Sequence, residues 1–362
     1  MTRILHTADI HLDSIAEERH AALDSVLEDA DNADVDLVTI GGDLFDSELA
    51  AEQLRESLRE LFSNRSYPIL TIPGNHDASA YRSNLFFGDS FIAATESPFD
   101  HYVVDDTTRI TYLPYTPQAT DELLISLRDR EPFEGTECLL LHCSLDAPLH
   151  GDVGDESEQR YFPVTKEQLA ELDFEYYLAG HYHSQHHVEL SNGGTFVYPG
   201  TPASITQTEL GRRTYVYIDT EADTGVQFPS LESYHYDELN LRVTPGQEDR
   251  VFREINSQVA IWHDRDVEPQ ITVDGFIETD ETEFESALED HSNGISVTNR
   301  TRDVEHILSH PLFEAFEHQL ENRDRLQAIE DRDEYNTTRF QNDVWEATLN
   351  AFVELAAEGK LR

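Results

Sequence analysis

The sequence predicts an α/β protein, a four-layer α/β/β/α sandwich followed by a small α/β domain and C-terminal helices. Short apolar runs alternate with helical patterns through the first two thirds of the chain, which is typical of sheets covered by helices. The spacing of the apolar runs changes near Glu232, and the chain ends in two apolar helical stripes. We therefore expect three parts, at residues 1–230, 231–302 and 303–362.

Strand-like and helix-like segments alternate in the first part. Apolar runs at Arg3–His6, Leu37–Gly41 and Ile69–Pro73 are typical of buried strands. Two amphipathic helices are predicted between them, with apolar positions at Leu23, Val26, Leu27 and Ala30 and at Leu54, Leu58, Leu61 and Phe62. Further strands are predicted at Ile110–Leu113, Cys138–His142, Tyr176–Ala179, Thr195–Tyr198 and Thr214–Ile218. This order predicts a βαβ-type sheet, and the close spacing of the later strands predicts a second sheet against it.

The remaining two parts are smaller. The second part is predicted to have β-α-β-α-β order, with elements at Leu239–Val243, Val251–Val259, Pro269–Val273, Glu281–Glu289 and Ile295–Asn299. The third part contains two apolar stripes, Val304, Ile307, Leu308, Leu312, Phe313 and Phe316, then Trp345, Leu349, Phe352 and Ala356. The charged segment Glu321–Arg339 between them is expected to be a linker or an exposed helix. The second stripe belongs either to the core or to a helix that docks on a partner.

The charge balance is strongly acidic. Among 362 residues, 25 Lys and Arg against 73 Asp and Glu give a formal charge of −48, and Lys166 and Lys360 are the only lysines. An acidic surface spread along the whole chain indicates adaptation to a high-salt cytoplasm, where repulsion is screened over about 3 Å at 1 M salt. The alternative is an acidic protein that binds cations or basic partners. Because molar salt weakens all such electrostatics, the lack of a basic patch does not exclude nucleic acid as a ligand.

A cytoplasmic location is expected from the N-terminus and the cysteines. The opening MTRILHTADI has no apolar core of a signal peptide, and no apolar run reaches about 18 residues. Cys138 and Cys143 fall on opposite faces of one predicted strand, about 16 Å apart, which is too far for a disulfide. Two free, reduced thiols are therefore expected.

Five polar clusters each follow directly after a predicted strand. They are Asp9-Ile10-His11, Gly42-Asp43 with Asp46, Gly74-Asn75-His76-Asp77, His142, and Gly180-His181-Tyr182-His183. Loops at the carboxyl ends of strands hold the working residues of open sheets. One such motif also occurs in ordinary surface loops, but five in series indicate a single site.

The residue types in these clusters are suited to divalent metals. The candidate ligands carry nitrogen and oxygen donors and no thiolate: Asp9, His11, Asp43, Asn75, His142, His181 and His183. They are enough for two ions that share one carboxylate, an arrangement that clamps the attacking and leaving oxygens of a displacement at phosphorus. Glycines before Asp43, Asn75 and His181 allow the tight turns that such close packing needs.

The series resembles the calcineurin-like metallophosphoesterase superfamily, whose pattern is D-x-H, G-D, G-N-H-D/E, H and G-H-x-H. The resemblance implies one metal held by Asp9, His11, Asp43 and His183, and a second held by Asp43, Asn75, His142 and His181. It implies that His76 is catalytic, contacting the scissile phosphate or protonating the leaving oxygen, and that Asp77 orients it. The nucleophile would be a metal-bound hydroxide.

Within the superfamily, residues 6–14 (HTADIHLDS) and 41–46 (GGDLFD) are similar to SbcD-type DNA-repair exonucleases. The stretch from Tyr198 to Glu209 and the strand after it are similar as well, so the resemblance covers about residues 1–230. It implies two Mn²⁺ ions and hydrolysis of DNA phosphodiester bonds as an exonuclease or endonuclease. It further implies that the C-terminal helices dock on an SbcC-type coiled-coil ABC ATPase and that the chain forms a homodimer.

Asp46 departs from part of this family. Archaeal and eukaryotic double-strand-break nucleases carry a histidine at this position, whereas bacterial SbcD-type members often carry aspartate. Asp46 therefore leaves the balance of exonuclease and endonuclease activity open. The alternative is a structural role as the N-cap of the helix that begins near Ser47.

Candidate substrate contacts lie in the surrounding loops. Arg82, Arg212 and Arg213 could face the metals, and Tyr182 or Tyr198 could stack on bases. The alternative for the arginines is pairing with surface carboxylates. A small-molecule phosphodiesterase or phosphatase on the same fold remains the second functional reading, and a catalytically idle scaffold the third; the large C-terminal third and the intact ligand set argue against them.

Overall fold

The computed structural model describes residues 2–81, 86–115, 120–146, 161–222, 224–263, 265–321 and 337–361, without the side chains of 319–321 and 337–343. The chain forms two compact units. The first comprises Met1–Asp237 and Arg265–Glu268, and the second comprises Glu238–Asp264 and Pro269–Arg362. No helix within the described ranges is long and apolar enough to cross a membrane.

The part of the chain up to residue 227 forms two six-stranded sheets with helices. Its strands are β1 (Arg3–Thr7), β2 (Leu37–Ile40), β3 (Ile69–Thr71), β4 (Phe91–Ala93), β5 (Asp100–Val103), β6 (Thr108–Leu113), β7 (Thr136–His142), β8 (Tyr176–Gly180), β9 (His186–Glu189), β10 (Thr195–Tyr198), β11 (Val216–Asp219) and β12 (Val226–Gln227). Its helices are α1 (Glu17–Asn32), α2 (Glu48–Leu61), α3 (Thr120–Arg128) and α4 (Lys166–Ala170). The strand orders are β12-β11-β1-β2-β3-β4 and β5-β6-β7-β8-β10-β9.

Both sheets are mixed, with parallel centres and antiparallel edges. Strands β1 to β4 run parallel, β11 pairs antiparallel with β1, and β12 pairs antiparallel with β11. In the second sheet β6, β7, β8 and β10 run parallel, and β5 and β9 are antiparallel edges. The predicted mixed α/β architecture is confirmed. The parallel centres bring the carboxyl ends of β1, β2 and β3 together, and likewise those of β7 and β8.

Alternation along β7 shows how the apolar core is divided. Cys138 and Leu140 pack with Ile4 and Leu70 of the first sheet, so this cluster contains side chains of both sheets. Leu139 and the other alternate positions instead belong to a cluster with the apolar side chains of α3. A third cluster joins the other face of the first sheet to α1 and α2. Cys138 and Cys143 are buried free thiols in different clusters, as expected.

Four strands were missed by the sequence patterns: β4, β5, β9 and β12. All are partly exposed edge strands, and none presents the continuous buried run that identifies the central strands.

The start of helix α2 tests the structural role considered for Asp46. Its N-cap is Ser47, whose side chain accepts the N–H of Ala50, so the N-cap role expected for Asp46 is wrong.

The later elements form a small sheet and a helical end. They are β13 (His235–Val243), α5 (Glu248–Trp262), β14 (Val267–Ile277), α6 (Glu281–Ser292), β15 (Ser296–Asp303), α7 (Glu305–Leu308), α8 (Pro311–Glu321) and α9 (Thr337–Ala357). The sheet order is β13-β14-β15, and β14 and β15 pair in parallel.

The two C-terminal stripes meet inside the second unit. Phe313 of α8 and Leu349 of α9 are buried against Ile307, and Trp345 and Phe352 pack on the same cluster. Leu312 is an exception: it lies at the start of α8, after the break that separates this helix from α7, and it is 58% exposed. Most of the charged segment predicted between the stripes, residues 322–336, lies outside the described residues.

Candidate metal centre

Five loops at the carboxyl ends of strands carry the predicted ligands to one place. Asp9 follows β1, Asp43 follows β2, and His142 ends β7. All three side chains are buried. The Nδ1–H of His142, on the second sheet, donates to the main-chain oxygen of Gly41 on the first, over 2.8 Å. The site therefore lies where the two sheets meet, as the parallel strand ends require.

One group of ligands surrounds His11. Donor atoms of Asp9, His11 and Asp43 all lie within 4.8 Å of one another, which is close enough for a shared cation. The rings of His11 and His183 are neighbours, with centroids 5.1 Å apart. These four residues are the set expected for the first metal.

A second group surrounds His142. Its Nε2 lies 2.8 Å from Asn75 Oδ1 and 3.2 Å from Asp43 Oδ2. Its ring centroid is 5.3 Å from that of His181. Asp43 therefore contacts both groups, which is the position of a bridging carboxylate.

The chemistry of these side chains fits divalent cations. His11 Nε2 is buried without a hydrogen-bond partner among the described residues, and a cation would satisfy it. Burial, together with the neighbouring carboxylate of Asp43, raises the pKa of Asp9 to about 7, although His142 and His183 oppose this rise. Burial lowers the pKa of His142, but the carboxylates of Asp43 and Asp9 overcome this and raise it to about 9. Two buried carboxylates among imidazoles thus require positive charge, from protons or from metal.

The backbone at the ligands is strained. Asp9, His11 and Asp43 have φ of 54°, 50° and 49°, and His181 has φ of 117°. Residues other than glycine adopt this region at a cost of about 1–3 kcal/mol each, and such strain clusters at functional sites. The surrounding hydrogen bonds hold these conformations: the His181 N–H, for example, donates to both carboxylate oxygens of Asp9 over 2.9 Å.

Glycines before the ligands leave no room for a side chain. Gly42 has φ of +99°, and a Cβ there would lie 2.5 Å from His142 Nδ1. A Cβ on Gly180 would lie 2.3 Å from the main-chain oxygen of Gly41. The expected tight turns are present, and they hold the loops closely packed around the ligands.

Residues 2–185 match the family described as calcineurin-like phosphoesterase. The chain belongs to this family. A relative from Bacillus subtilis (strain 168), the uncharacterized metallophosphoesterase YhaO, is 23% identical over 273 residues, which is 67% of this chain. The chain covers 64% of that relative's length. The family match and the ligand geometry agree on a centre that is suited to divalent metal ions.

His76 occupies a different environment from the candidate ligands. Its side chain is exposed, whereas Asn75 is half-buried and the other candidate ligands are buried, and its ring centroid lies 4.8 Å from that of His11. Its main-chain N–H donates to Asp43 Oδ1 over 2.8 Å, which ties its loop to the centre. An imidazole beside the metals and open to solvent can meet an arriving phosphate ester.

Asp77 is buried beneath the loop that carries His76. Its carboxylate accepts the N–H groups of Gly74 and Phe45 over 2.7 and 3.2 Å and the hydroxyl of Tyr81 over 2.7 Å. Burial and the nearby Asp43 raise its pKa to about 6. These bonds join the loops after β2 and β3 and so position the backbone on either side of His76.

The predicted substrate contacts are placed differently from expectation. Arg212 pairs with Glu232, which is the alternative considered for the arginines. Tyr182 and Tyr198 are buried, and the Tyr198 hydroxyl donates to the main-chain oxygen of Cys143, so neither ring offers a face to a substrate. Arg82 lies outside the described residues. Arg213 is buried and donates to the main-chain oxygens of Thr201 and His183.

Other residues at the centre escaped the sequence patterns. Asp46 lies 3.7 Å from His11 Nδ1, and buried Glu209 accepts a hydrogen bond from His183 Nδ1 over 2.8 Å. Half-buried Tyr115 and Tyr161 contact each other, and the Tyr161 ring lies 5.5 Å from that of His181. Asp46 and Glu209 lie in segments similar to SbcD-type nucleases, but the sequence predicted no contact of either with a histidine ligand, and Tyr115 and Tyr161 carried no signal.

Proposed function

We propose that this phosphoesterase hydrolyses phosphodiester bonds of DNA during repair, as a nuclease that uses two Mn²⁺ ions. The observation that carries the proposal is the exposed His76 beside two largely buried ligand groups that share Asp43. The nitrogen and oxygen donor set suits Mn²⁺, Fe²⁺ or Zn²⁺, and the SbcD-like segments favour Mn²⁺ among them.

The proposed ligand assignment follows the two groups. Asp9, His11, Asp43 and His183 hold one ion, and Asp43, Asn75, His142 and His181 hold the other. Bound there, the ions supply charge neutralisation at phosphorus and a water of lowered pKa. The protein contributes the fixed geometry, because the strained loops and crowded glycines leave the ligands little freedom to move.

His76 is proposed to act on the substrate directly. Its exposed imidazole donates a proton to the leaving oxygen or a hydrogen bond to the scissile phosphate. General acid catalysis of this kind contributes about 10²–10⁴-fold to the rate. Asp77 serves this role through the loop, by fixing the backbone at Gly74 and Phe45.

DNA is proposed as the substrate on two grounds. The segments at residues 6–14 and 41–46 resemble SbcD-type exonucleases. In addition, half-buried Tyr115 and Tyr161 form an aromatic edge beside His181, and such rings bind unpaired bases by stacking at about 1–3 kcal/mol per base. Stacking depends less on salt than phosphate contacts do, which suits a protein adapted to molar salt.

The partner belongs to the same proposal. Exposed Leu312 of α8 and Leu355 of α9, 58% and 38% exposed, lie on the helices that the SbcD resemblance assigns to docking on an SbcC-type ATPase. Phe313 of α8 and Trp345, Leu349 and Phe352 of α9 already pack in their own unit.

The test is hydrolysis in about 2 M KCl, which screens the acidic surface, with Mn²⁺ present. Linear duplex, hairpin and single-stranded DNA are offered beside a small phosphodiester and a phosphomonoester. His76→Ala is the catalytic variant, and His306→Ala, an exposed histidine of the second unit, is the matched control. We expect DNA cleavage that falls at least ~100-fold in His76→Ala only.

The other outcomes have definite meanings. Cleavage of the small esters alone moves the protein to the small-molecule phosphodiesterases and contradicts DNA as the substrate. Equal loss in His76→Ala and His306→Ala contradicts the role of His76. Tyr161→Leu tests the aromatic edge. This variant is expected to reduce hydrolysis of single-stranded DNA more than hydrolysis of the small phosphodiester.

A further inference from the structure

His183 is held at both its ring and its backbone. Its Nδ1–H donates to Glu209 Oε1 over 2.8 Å. The Glu209 carboxylate is fully buried and also accepts the N–H of Ile205 and the hydroxyl of Thr201, over 2.8 and 3.0 Å. Arg213 donates to the main-chain oxygen of His183 over 2.5 Å. A carboxylate and a guanidinium thus fix one imidazole from two sides.

His11 has the same two supports from other parts of the chain. Asp46 Oδ1 lies 3.7 Å from His11 Nδ1. Arg19 donates to the main-chain oxygen of His11 over 2.7 Å, and the same guanidinium lies 3.9 Å from Asp46. Although the fold relates these residues by no internal repeat, each histidine of the first group has a carboxylate at Nδ1 and an arginine at its carbonyl.

His142, in the second group, is supported differently. Its Nδ1–H donates to a neutral main-chain oxygen, that of Gly41. His183 and His142 donate the Nδ1–H to the supporting acceptor, and in His11 it is Nδ1 that lies 3.7 Å from the Asp46 carboxylate, so that Nε2 of each ring is left to face a metal. A carboxylate acceptor raises the basicity of an imidazole ligand more than a carbonyl does, because its negative charge favours positive charge on the ring.

We propose that Glu209 and Asp46 are positioning residues that make the His11–His183 metal site bind its ion more tightly than the His142–His181 site. This inference rests on the two-metal assignment of the proposed function. The two sites then fill in order as free Mn²⁺ rises. Arg213 and Arg19 hold the peptide groups of the two supported histidines and keep the carboxylates facing them.

The test is Mn²⁺ binding without substrate. It is measured by titration calorimetry and by electron paramagnetic resonance, whose signal gives the fraction of Mn²⁺ that remains free. The variants are Glu209→Gln and Asp46→Asn. Each is expected to weaken the tighter of two sites by about 10–100-fold, the usual effect of removing such a partner, and to leave the weaker site unchanged. Asp46→Glu retains the carboxylate and is expected to restore tight binding.

Two controls separate positioning from folding. Glu137→Gln changes another buried carboxylate, remote from the ligands along β7, and is expected to lower stability without changing either affinity. Asp46 is 45% exposed at its side chain, so Asp46→Asn keeps the test valid if Glu209→Gln does not fold. The imidazole ¹⁵N shifts of His183 supply a further readout, since loss of the carboxylate moves its Nδ1 resonance.

The results distinguish this inference from the proposed function. The inference would be overturned if both sites weakened equally or if neither variant weakened a site. It would also be overturned if the wild-type protein had a single Mn²⁺ site that the variants left unaffected. Ordered filling that the variants abolish, in a protein that cleaves no DNA, supports the positioning roles and contradicts only the proposed substrate.

Discussion

Gly74 packs against Asp43 so closely that a Cβ on Gly74 would lie 2.2 Å from Asp43 Oδ1. The same oxygen accepts the main-chain N–H of His76 over 2.8 Å. The carboxylate shared by the two ligand groups is therefore enclosed by the loop that carries the exposed histidine. Any side chain at residue 74 must displace the carboxylate or the loop.

Gly74→Ala is expected to lower kcat/KM for a small phosphodiester by about 100-fold, the cost of a 1 Å misplacement in an active site. Mn²⁺ binding, measured by calorimetry, is expected to weaken as well. Gly194→Ala is the matched control, because its Cβ would lie 2.4 Å from the main-chain oxygen of Phe174, away from the ligands. A Gly74→Ala enzyme with unchanged kcat/KM would contradict the enclosed position of Asp43.

The candidate site was predictable because its signals are local. Each ligand directly follows a strand whose apolar run is visible in the sequence, as Asp43 follows Leu37–Ile40. Parallel strands then bring these loops to one edge without further information. The central strands and the α1 and α2 faces were predictable for the same reason, since burial on both sides leaves a continuous apolar pattern.

The supports of the site were not predictable, because they depend on tertiary contacts between distant segments. Glu209 reaches His183 across 26 positions, and Arg213 reaches the same residue across 30. Although Glu209 ends a stretch that resembles SbcD-type nucleases, the sequence does not indicate that its side chain contacts His183. The edge strands β4 and β5 escaped for a related reason: their half-exposed patterns match those of ordinary loops.

Glu137 joins two buried arginines at the opposite end of β7 from His142. It accepts from Arg109 Nη2 over 2.6 Å, from Arg130 Nε over 3.0 Å and from the Thr111 hydroxyl over 2.6 Å. Glu137→Gln leaves these guanidinium charges buried and uncompensated, and is expected to lower the free energy of unfolding by about 3–5 kcal/mol in urea titrations.

The matched control for this prediction is Glu171→Gln. Glu171 pairs with Arg128 in the same region, but both side chains are about half exposed, so about 0–1 kcal/mol is expected. Similar losses in the two variants would contradict the idea that burial makes Glu137 costly to change.

The net charge of −48 predicts that salt stabilises the fold. Raising KCl from 0.1 to 1 M shortens the screening length from about 10 to about 3 Å and so weakens repulsion among the carboxylates. We expect the thermal unfolding midpoint of the first unit to rise across this range, by about 2–4 °C for each kcal/mol gained. Sucrose at equal osmolality controls for exclusion of solute, and a midpoint that falls with KCl would contradict the adaptation to salt.

His6 is a fully buried histidine of β1 that predicts a loss of stability in mild acid. Its Nε2–H donates to the main-chain oxygen of Ala179 over 3.2 Å, and its Nδ1 lies 3.0 Å from the Thr39 hydroxyl. Burial lowers its pKa to about 4, although hydrogen bonding with the backbone of Ala179 and Thr39 opposes this. The ring is therefore neutral in the folded protein throughout the range in which an unfolded histidine becomes charged.

The unfolded chain binds a proton at His6 near pH 6.5, whereas the folded chain does so only near pH 4. Stability must therefore fall as pH decreases between these values, by about 2 kcal/mol from pH 7 to pH 5. His6→Gln removes the titration, so the wild-type protein should lose this amount relative to the variant in urea unfolding at the two pH values. Because the two proteins share all their other titratable groups, the contribution of those groups cancels in the difference between wild type and variant. Parallel pH profiles for the two proteins would contradict this prediction. They would show that the His6 ring already carries its proton, or is solvated, in the folded state.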